Sequence, residues 1–322
     1  MNPTPPPAPE PEPAPAPTPD TVRRLVRSLL TDDAAPGPGP EVRPVREQGG
    51  HFTWWVGRRH VLRLAPDREA TLRQRRELRL RDLVRPLVGG AVPVSVARGE
   101  WAPGLGYTLD TKVPGVSGEE HAVSALGEAD LAELLTGLRE VPVRQAETLG
   151  VPRTPPRSLE ALRATAVRAA GRLPAEEFDP ARFDQLAAPA AVQLGAQTGA
   201  PVLVHHHLLG EHLVVSPDGR VRGVLDWTGA VIGDPAEDIA GLAVAVGAPA
   251  AVRAATLAGY GARPCLRGLW LARCDTVVRL ADRLHAGDTG RLPLLEAQLR
   301  RAWESILLER VTDLRDGPDP TP

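Results

Sequence analysis

Beyond residue 41 the spacing of apolar residues changes from mainly strand-like to mainly helical near residue 116, and that change constrains what the chain can fold into. Between Glu41 and about Val116 the apolar residues fall in runs of strand length. Phe52 to Val56 and His60 to Leu64 are separated by Gly57-Arg58-Arg59, which predicts two strands joined by a tight turn. A long Arg/Glu/Leu-rich stretch, Glu69 to Leu87, spaces Leu72, Leu78, Leu80, Leu83 and Leu87 along a helix. Further short strands are expected near Val92 to Ala97 and Tyr107 to Val113, ending at Pro114-Gly115. Beyond that point helical spacing takes over. Ala129 to Arg139 carries Leu131, Leu134, Leu135 and Leu138 three and four residues apart, and Leu159 to Leu173, Arg267 to His285 and Leu292 to Arg310 repeat the pattern. The exception is one β-hairpin, Leu213 to Val215 and Val221 to Leu225, turned by Ser216-Pro217-Asp218-Gly219. The expected fold class is α+β: a small β-rich lobe with one helix over residues 41–115, and a larger helical lobe over 116–312 that contains the hairpin.

The flanks read differently. Asn2 to about Pro19 alternates proline with Ala, Thr and Glu, a composition that favours extended polyproline II and cannot form a core, so residues 1–20 are expected to be a disordered tail. Residues 21–40 are expected to form a helix, with Val22, Leu25, Val26, Leu29 and Leu30 on one face, followed by a Pro/Gly linker; residues 313–322 form a second tail. A chain of 322 residues buries enough surface to need no covalent staples. Cys265 and Cys274, nine apart at helical spacing, match neither a zinc pattern nor a disulfide framework and read as buried, reduced, structural residues. A net charge of -2 gives no electrostatic reason to bind nucleic acid or an acidic membrane. The longest uncharged apolar stretch, Ile239 to Val252, is too short and too interrupted by Gly241, Gly247 and Pro249 to span a bilayer. The N-terminus carries Pro and Glu where a signal peptide needs basic and then apolar residues, so the expected address is the cytoplasm. The sequence carries no signature of oligomeric state.

The residues that carry chemistry cluster around the hairpin. Val204-His205-His206-His207-Leu208-Leu209-Gly210-Glu211-His212 leads into it, Gly223-Val224-Leu225-Asp226-Trp227 leaves it, and Gly233-Asp234-Pro235-Ala236-Glu237-Asp238-Ile239-Ala240 follows. Asp226, at the end of a strand expected to be buried, suits a divalent cation; a turn aspartate is the simpler alternative. Asp234-Pro235-Ala236-Glu237 reads as a helix start, with the N-cap acid first and Pro at the first helical position. Four of the eight histidines fall within eight residues. Three consecutive side chains on an extended segment alternate in direction and cannot all converge, which weighs against a zinc or nickel site.

As one constellation this segment resembles the aminoglycoside and macrolide phosphotransferase family, with its H-G-D-x-x-x-x-N catalytic loop, hairpin, I-D-W metal motif and G-D-P-A-x-D-L-A, and the spacing is kept residue for residue. The resemblance, over about Glu41 to Arg310, implies a protein-kinase-like bilobal fold. It also implies transfer of the γ-phosphate of ATP or GTP, bound with magnesium, to a hydroxyl of a small-molecule acceptor. His205 then corresponds to the loop-shaping histidine, Asp226 to a metal ligand and Asp238 to a residue that braces the loop. His206 takes a small-residue position, where an imidazole must point to solvent or crowd the loop. His207 stands in place of the catalytic aspartate: neutral imidazole can accept the hydroxyl proton but lacks the fixed charge, so both a working substitute and a pseudokinase are open. His212 stands where the commonest pattern has a magnesium-binding asparagine, and the macrolide branch has a Gly-His pair here.

In the smaller lobe, Gln48-Gly49-Gly50-His51-Phe52 looks like the family's glycine loop over the phosphates. The alternation Val61-Leu62-Arg63-Leu64 places Arg63 on the face expected to look into the nucleotide cleft, at the family's basic position, with Glu77 as its helix partner. Ordinary surface charges are the alternative for both. Lys112 is the chain's single lysine, so arginine at a lysine position fits the bias of the whole sequence. Tyr107 to Pro114 resembles the strand and hinge beside the nucleotide base.

Overall fold

The computed structural model describes residues 16–30, 40–45, 51–89, 92–186, 191, 194–195, 200–287 and 290–306. The chain divides into two compact units, Met1–Leu78 with Pro93–Lys112, and Arg79–Val92 with Val113–Pro322.

The smaller unit is built on a five-stranded antiparallel sheet. Its strands are β1 (Val42–Pro44), β2 (Phe52–Val56), β3 (His60–Leu64), β4 (Ser95–Ala102) and β5 (Leu105–Thr111), in the spatial order β1-β2-β3-β5-β4. The β2–β3 register pairs Trp54 with Leu62 and Phe52 with Leu64. Strand alternation therefore gathers Trp54, Val56, Leu62 and Leu64 on one face, where they are buried. Helix α1 (Pro19–Leu29) starts on Thr18, whose hydroxyl accepts from Thr21 N at 3.2 Å. Its Val22 and Val26 pack into the same cluster as Val42, Trp54, Val56, Leu62, Tyr107 and Leu109, so the helix belongs to this core. The first half of α2 (Arg68–Val84) is tied to the sheet by polar contacts: Thr71 Oγ1 accepts from Gly106 N at 2.9 Å and Gln74 Nε2 donates to Arg63 O at 3.2 Å.

The larger unit is mostly helical. Its helices are α3 (Ala125–Glu140), α4 (Val143–Thr148), α5 (Leu159–Ala170), α6 (Ala236–Val246), α7 (Ala248–Leu257), α8 (Ala262–His285) and α9 (Leu292–Ala302). Two small strand sets sit among them: β6 (Val116–Ser117), β8 (Leu213–Val215) and β9 (Val221–Val224) in one sheet, and β7 (Val202–Val204) paired antiparallel with β10 (Val231–Gly233). The hairpin turn is anchored rather than free. Gly219 O accepts from Ser124 N at 2.9 Å, and Asp130 on α3 receives the Arg220 guanidinium and, at 3.0 Å, Val221 N. Gly219 has φ +75°, and a Cβ there would stand 2.7 Å from Ser124, so both the turn and the close approach need glycine. Helix α9 stops at Ala302, shorter than the periodicity to Arg310 predicts. The buried Arg273 explains the stop: its guanidinium donates to Ala302 O at 3.2 Å and lies against the rings of Trp270 and Trp303, which meets the carbonyl end of the helix with a cation. Residues 307–322, including the tail from 313, and residues 1–15 lie outside the described residues.

Candidate active site

In the larger unit, β7 ends at Val204 and the chain turns through His205 to His212 into the hairpin. The turn is held by Asp238, buried in the first turn of α6. One carboxylate oxygen accepts from His205 N and the other from His206 N, both at 2.8 Å. Burial pushes this carboxyl up to about 7, outweighing the two N–H donors and the pull they exert toward the charged form. His205 is fully buried, and Nε2–H donates to Leu225 O at 3.0 Å, the residue before Asp226. Its ring meets Trp227 edge-on with centroids 4.8 Å apart, and burial lowers its pKa to about 3, so it stays neutral. Asp238 and His205 together fasten the loop to the far end of the hairpin.

His206 has φ +71°, a left-handed conformation that costs a non-glycine residue roughly 1–2 kcal/mol. Its ring is half-buried beside His207, with centroids 5.3 Å apart. Of the two outcomes expected for an imidazole here, pointing to solvent or crowding the loop, the half-buried ring takes neither fully, and the backbone adopts a conformation that glycine, the family's residue at this place, reaches without cost.

His207 is exposed. The Nδ1–Cε1 edge of its ring lies over Gly229, where an added Cβ would be 2.5 Å from Nδ1 and 2.9 Å from Cε1. Its carbonyl accepts from Leu209 N and from His212 Nδ1, both at 2.8 Å. Desolvation first, then the neighbouring His206 and His212, lower its pKa, so the ring is neutral at neutral pH.

His212 donates through Nδ1 to the His207 carbonyl, and its Nε2 lies 3.8 Å from Asp226 Oδ2. Asp226 is itself left-handed, φ +54°, which an aspartate tolerates, and its other oxygen receives Thr228 N and the Thr228 hydroxyl. No group of three or more His, Cys, Asp or Glu among the described residues is arranged to hold a metal ion. This donor set fits magnesium that arrives with a nucleotide, since that ion takes one or two carboxylates and completes its shell with phosphates and water.

Helix α6 starts one residue later than the motif predicts, at Ala236 with Pro235 as its cap. Asp234 still accepts from Ala236 N at 3.0 Å, but its second oxygen takes Arg267 Nε at 2.5 Å, with both side chains 2% exposed. Sequence reasoning missed this pair, and also Arg157, which grips Glu237 at 2.7 and 2.9 Å and both oxygens of Asp275 at 2.9 Å. Both join residues far apart in the chain, for which a single sequence gives no sign.

In the smaller unit Arg63 Nη1 donates to Glu77 Oε1 at 2.9 Å, with Glu77 2% exposed, and Asp110 Oδ2 lies 4.0 Å from the same guanidinium. Asp110 was not anticipated. The available signal was a carboxylate in a run, Leu105–Thr111, that is buried along nearly its whole length. Gly49 and Gly50 lie outside the described residues.

Asp238 and His205 act on the same loop with opposite pH dependence. His205, lowered from 6.5 to about 3, contributes stability that is lost as pH falls from 6.5 toward 3. Asp238, raised from 3.8 to about 7, contributes stability that is lost as pH rises from 3.8 toward 7. Each slope reaches about 1.4 kcal/mol per pH unit, so the two offset one another over the shared window. Urea unfolding of Asp238→Asn between pH 4.5 and 6.5 should therefore show stability rising with pH relative to the native chain. Parallel pH profiles would contradict the assignment.

The model of the phosphotransferase enzyme family matches residues 41–269. Among solved structures, aminoglycoside 2'-phosphotransferase-IIIa in its GDP complex gives a TM-score of 0.62 at 20% identity, over 87% of this chain and 98% of that one. Macrolide 2'-phosphotransferase MphH from Brachybacterium faecium, as apoenzyme, gives 0.56 at 21% identity over 88% and 99%. The streptomycin-ATP complex of APH(2")-IIa gives 0.54 at 13% identity over 87% and 97%. No curated protein matches the chain by sequence. These likenesses are of fold, the protein-kinase-like fold expected from the motifs. With the family model covering residues 41–269, well over half of the sequence and including the loop–hairpin–Asp226 constellation, this chain belongs to the phosphotransferase enzyme family.

Proposed function

We propose that the protein transfers the γ-phosphate of magnesium-bound ATP or GTP to a hydroxyl of a small molecule of aminoglycoside or macrolide type. The observation that carries the reading is the closed loop itself: Asp238 holds its first two N–H groups while His205 ties it to Leu225, beside Asp226. In this reading Asp226, with His212, takes the divalent ion, which when bound neutralises charge on the phosphates. Arg63, oriented by Glu77, contacts the phosphates, and Gly49 and Gly50, at the family's glycine-loop position in sequence, are assigned to the same group. His207 faces the acceptor hydroxyl, while His205 and Asp238 position the loop. Nucleotides in the GDP and ATP complexes of relatives with this fold support a nucleotide donor. Kanamycin and streptomycin in the complexes of two such relatives support a polyhydroxylated acceptor.

No helix of the described residues is long and apolar enough to cross a membrane. The reading requires neither a membrane nor a nucleic acid.

A second reading, a pseudokinase that binds nucleotide or small ligand without transferring phosphate, is favoured by one observation: an imidazole stands where the family has a carboxylate. Incubating the native chain and Asp226→Asn with labelled ATP or GTP and a panel of aminoglycosides and macrolides separates the two. Acceptor labelling by the native chain alone is expected. Nucleotide binding with no labelled product for any acceptor leaves the binder.

A further inference from the structure

We propose that His207 is itself a phosphoryl acceptor, its Nε2 taking the γ-phosphate of a nucleoside triphosphate to give a phosphoramidate on the loop. The inference rests on the nucleotide reading above and extends it. The ring atoms nearest a Cβ built at Gly229 are Nδ1 at 2.5 Å, Cε1 at 2.9 Å and Cγ at 3.7 Å, so Nε2 is the ring nitrogen farther from that backbone. Among the described residues neither ring nitrogen has a hydrogen-bond partner, and the side chain is exposed. The backbone beneath it is fixed, because the His207 carbonyl holds both Leu209 N and His212 Nδ1 at 2.8 Å. His212 neighbours both groups: its ring centroid is 6.4 Å from that of His207, and its Nε2 is 3.8 Å from Asp226, the carboxylate suited to the nucleotide's metal.

Reach favours a nucleophile over a base: imidazole extends further from its Cα than a carboxylate does. In a loop where aspartate orients an acceptor hydroxyl toward the γ-phosphate, the longer side chain brings a nucleophilic atom into the space of that hydroxyl.

The step balances without a further reagent. The Nε2 lone pair forms a bond to Pγ, the bond from Pγ to the β,γ-bridging oxygen breaks, the nucleoside diphosphate leaves with that electron pair, and the Nδ1 proton passes to water. Discharge follows when water or an acceptor hydroxyl attacks phosphorus, breaking the P–N bond and returning a proton to the ring.

The test uses the full chain with magnesium and γ-labelled ATP or GTP. Label is followed on the protein after alkali, which spares phosphoramidates, and after acid, which releases them, and its position is mapped by mass spectrometry. Magnesium-nucleotide melting shifts are recorded on the same samples. The expected result is acid-labile, alkali-stable label on His207, lost in His207→Asn and His207→Gln and retained in His206→Gly, with the His207 variants melting like the native chain. Label elsewhere, label surviving in the His207 variants, or no label overturns the proposal. A nucleotide-induced melting shift without label leaves the nucleotide reading intact, whereas the absence of both removes that reading as well.

Discussion

Replacing Asp234 by alanine is expected to cost about 3–5 kcal/mol of folding stability, because it leaves the Arg267 cation buried without its counter-charge. Both side chains are 2% exposed and meet at 2.5 Å. Arg267 Nη2 remains bound to Arg157 O at 2.7 Å, so the guanidinium cannot leave for solvent without breaking a second contact. The loss also removes the acceptor for Ala236 N at the start of α6, one turn before Asp238. Each kcal/mol lowers the melting temperature by about 2–4 °C in a domain of this size, which puts the expected fall on the order of 10 °C. The double variant Asp234→Ala/Arg267→Met should recover much of it, since a buried ion pair is replaced far more cheaply than half of one. Additive losses in the double variant would mean that the pair is not coupled.

The second large effect is a gain. His207→Asp should raise the rate of phosphate transfer to a hydroxyl acceptor by about 10²–10⁴, the usual worth of a positioned general base. The loop that would hold the new carboxylate is already tied at His205, His206 and Leu225 and needs no rebuilding. The same change removes the nucleophilic nitrogen, so label on the protein and transfer to the acceptor should move in opposite directions. Measuring kcat/KM for the best acceptor alongside protein-bound label tests both. A native chain faster than His207→Asp would show that the imidazole serves the acceptor better than the carboxylate.

The fold was legible where one period dominates. The β2 and β3 strands lie at the residues their alternation predicts, and β8 with β9 matches the hairpin to within one residue, because Gly57 and Gly219 mark the turns. Helix ends moved where side chains from elsewhere intervene, as at α9, where Arg273 takes the terminal carbonyl, and at α6, where Asp234 turns to Arg267 as well as capping. The spacing of the candidate site was legible, since the loop, the hairpin and Asp226 are contiguous in sequence. Its strain was not: the left-handed backbone of His206 follows from two N–H groups converging on Asp238, residues away in the chain. Asp110 beside Arg63, and Arg157 between Glu237 and Asp275, escaped for the same reason: charge pairing across strands and helices has no local period.

The central claim, that Asp226 serves a magnesium-bound nucleotide, is tested most directly by thermal melting of the native chain and Asp226→Asn with ATP or GTP, each with and without magnesium. A ligand that binds only the folded state at 100 times its Kd adds about 2.7 kcal/mol. The account predicts a rise in melting temperature for the native chain that depends on magnesium and disappears in Asp226→Asn. No rise at millimolar nucleotide, or an equal rise in the variant, would contradict it.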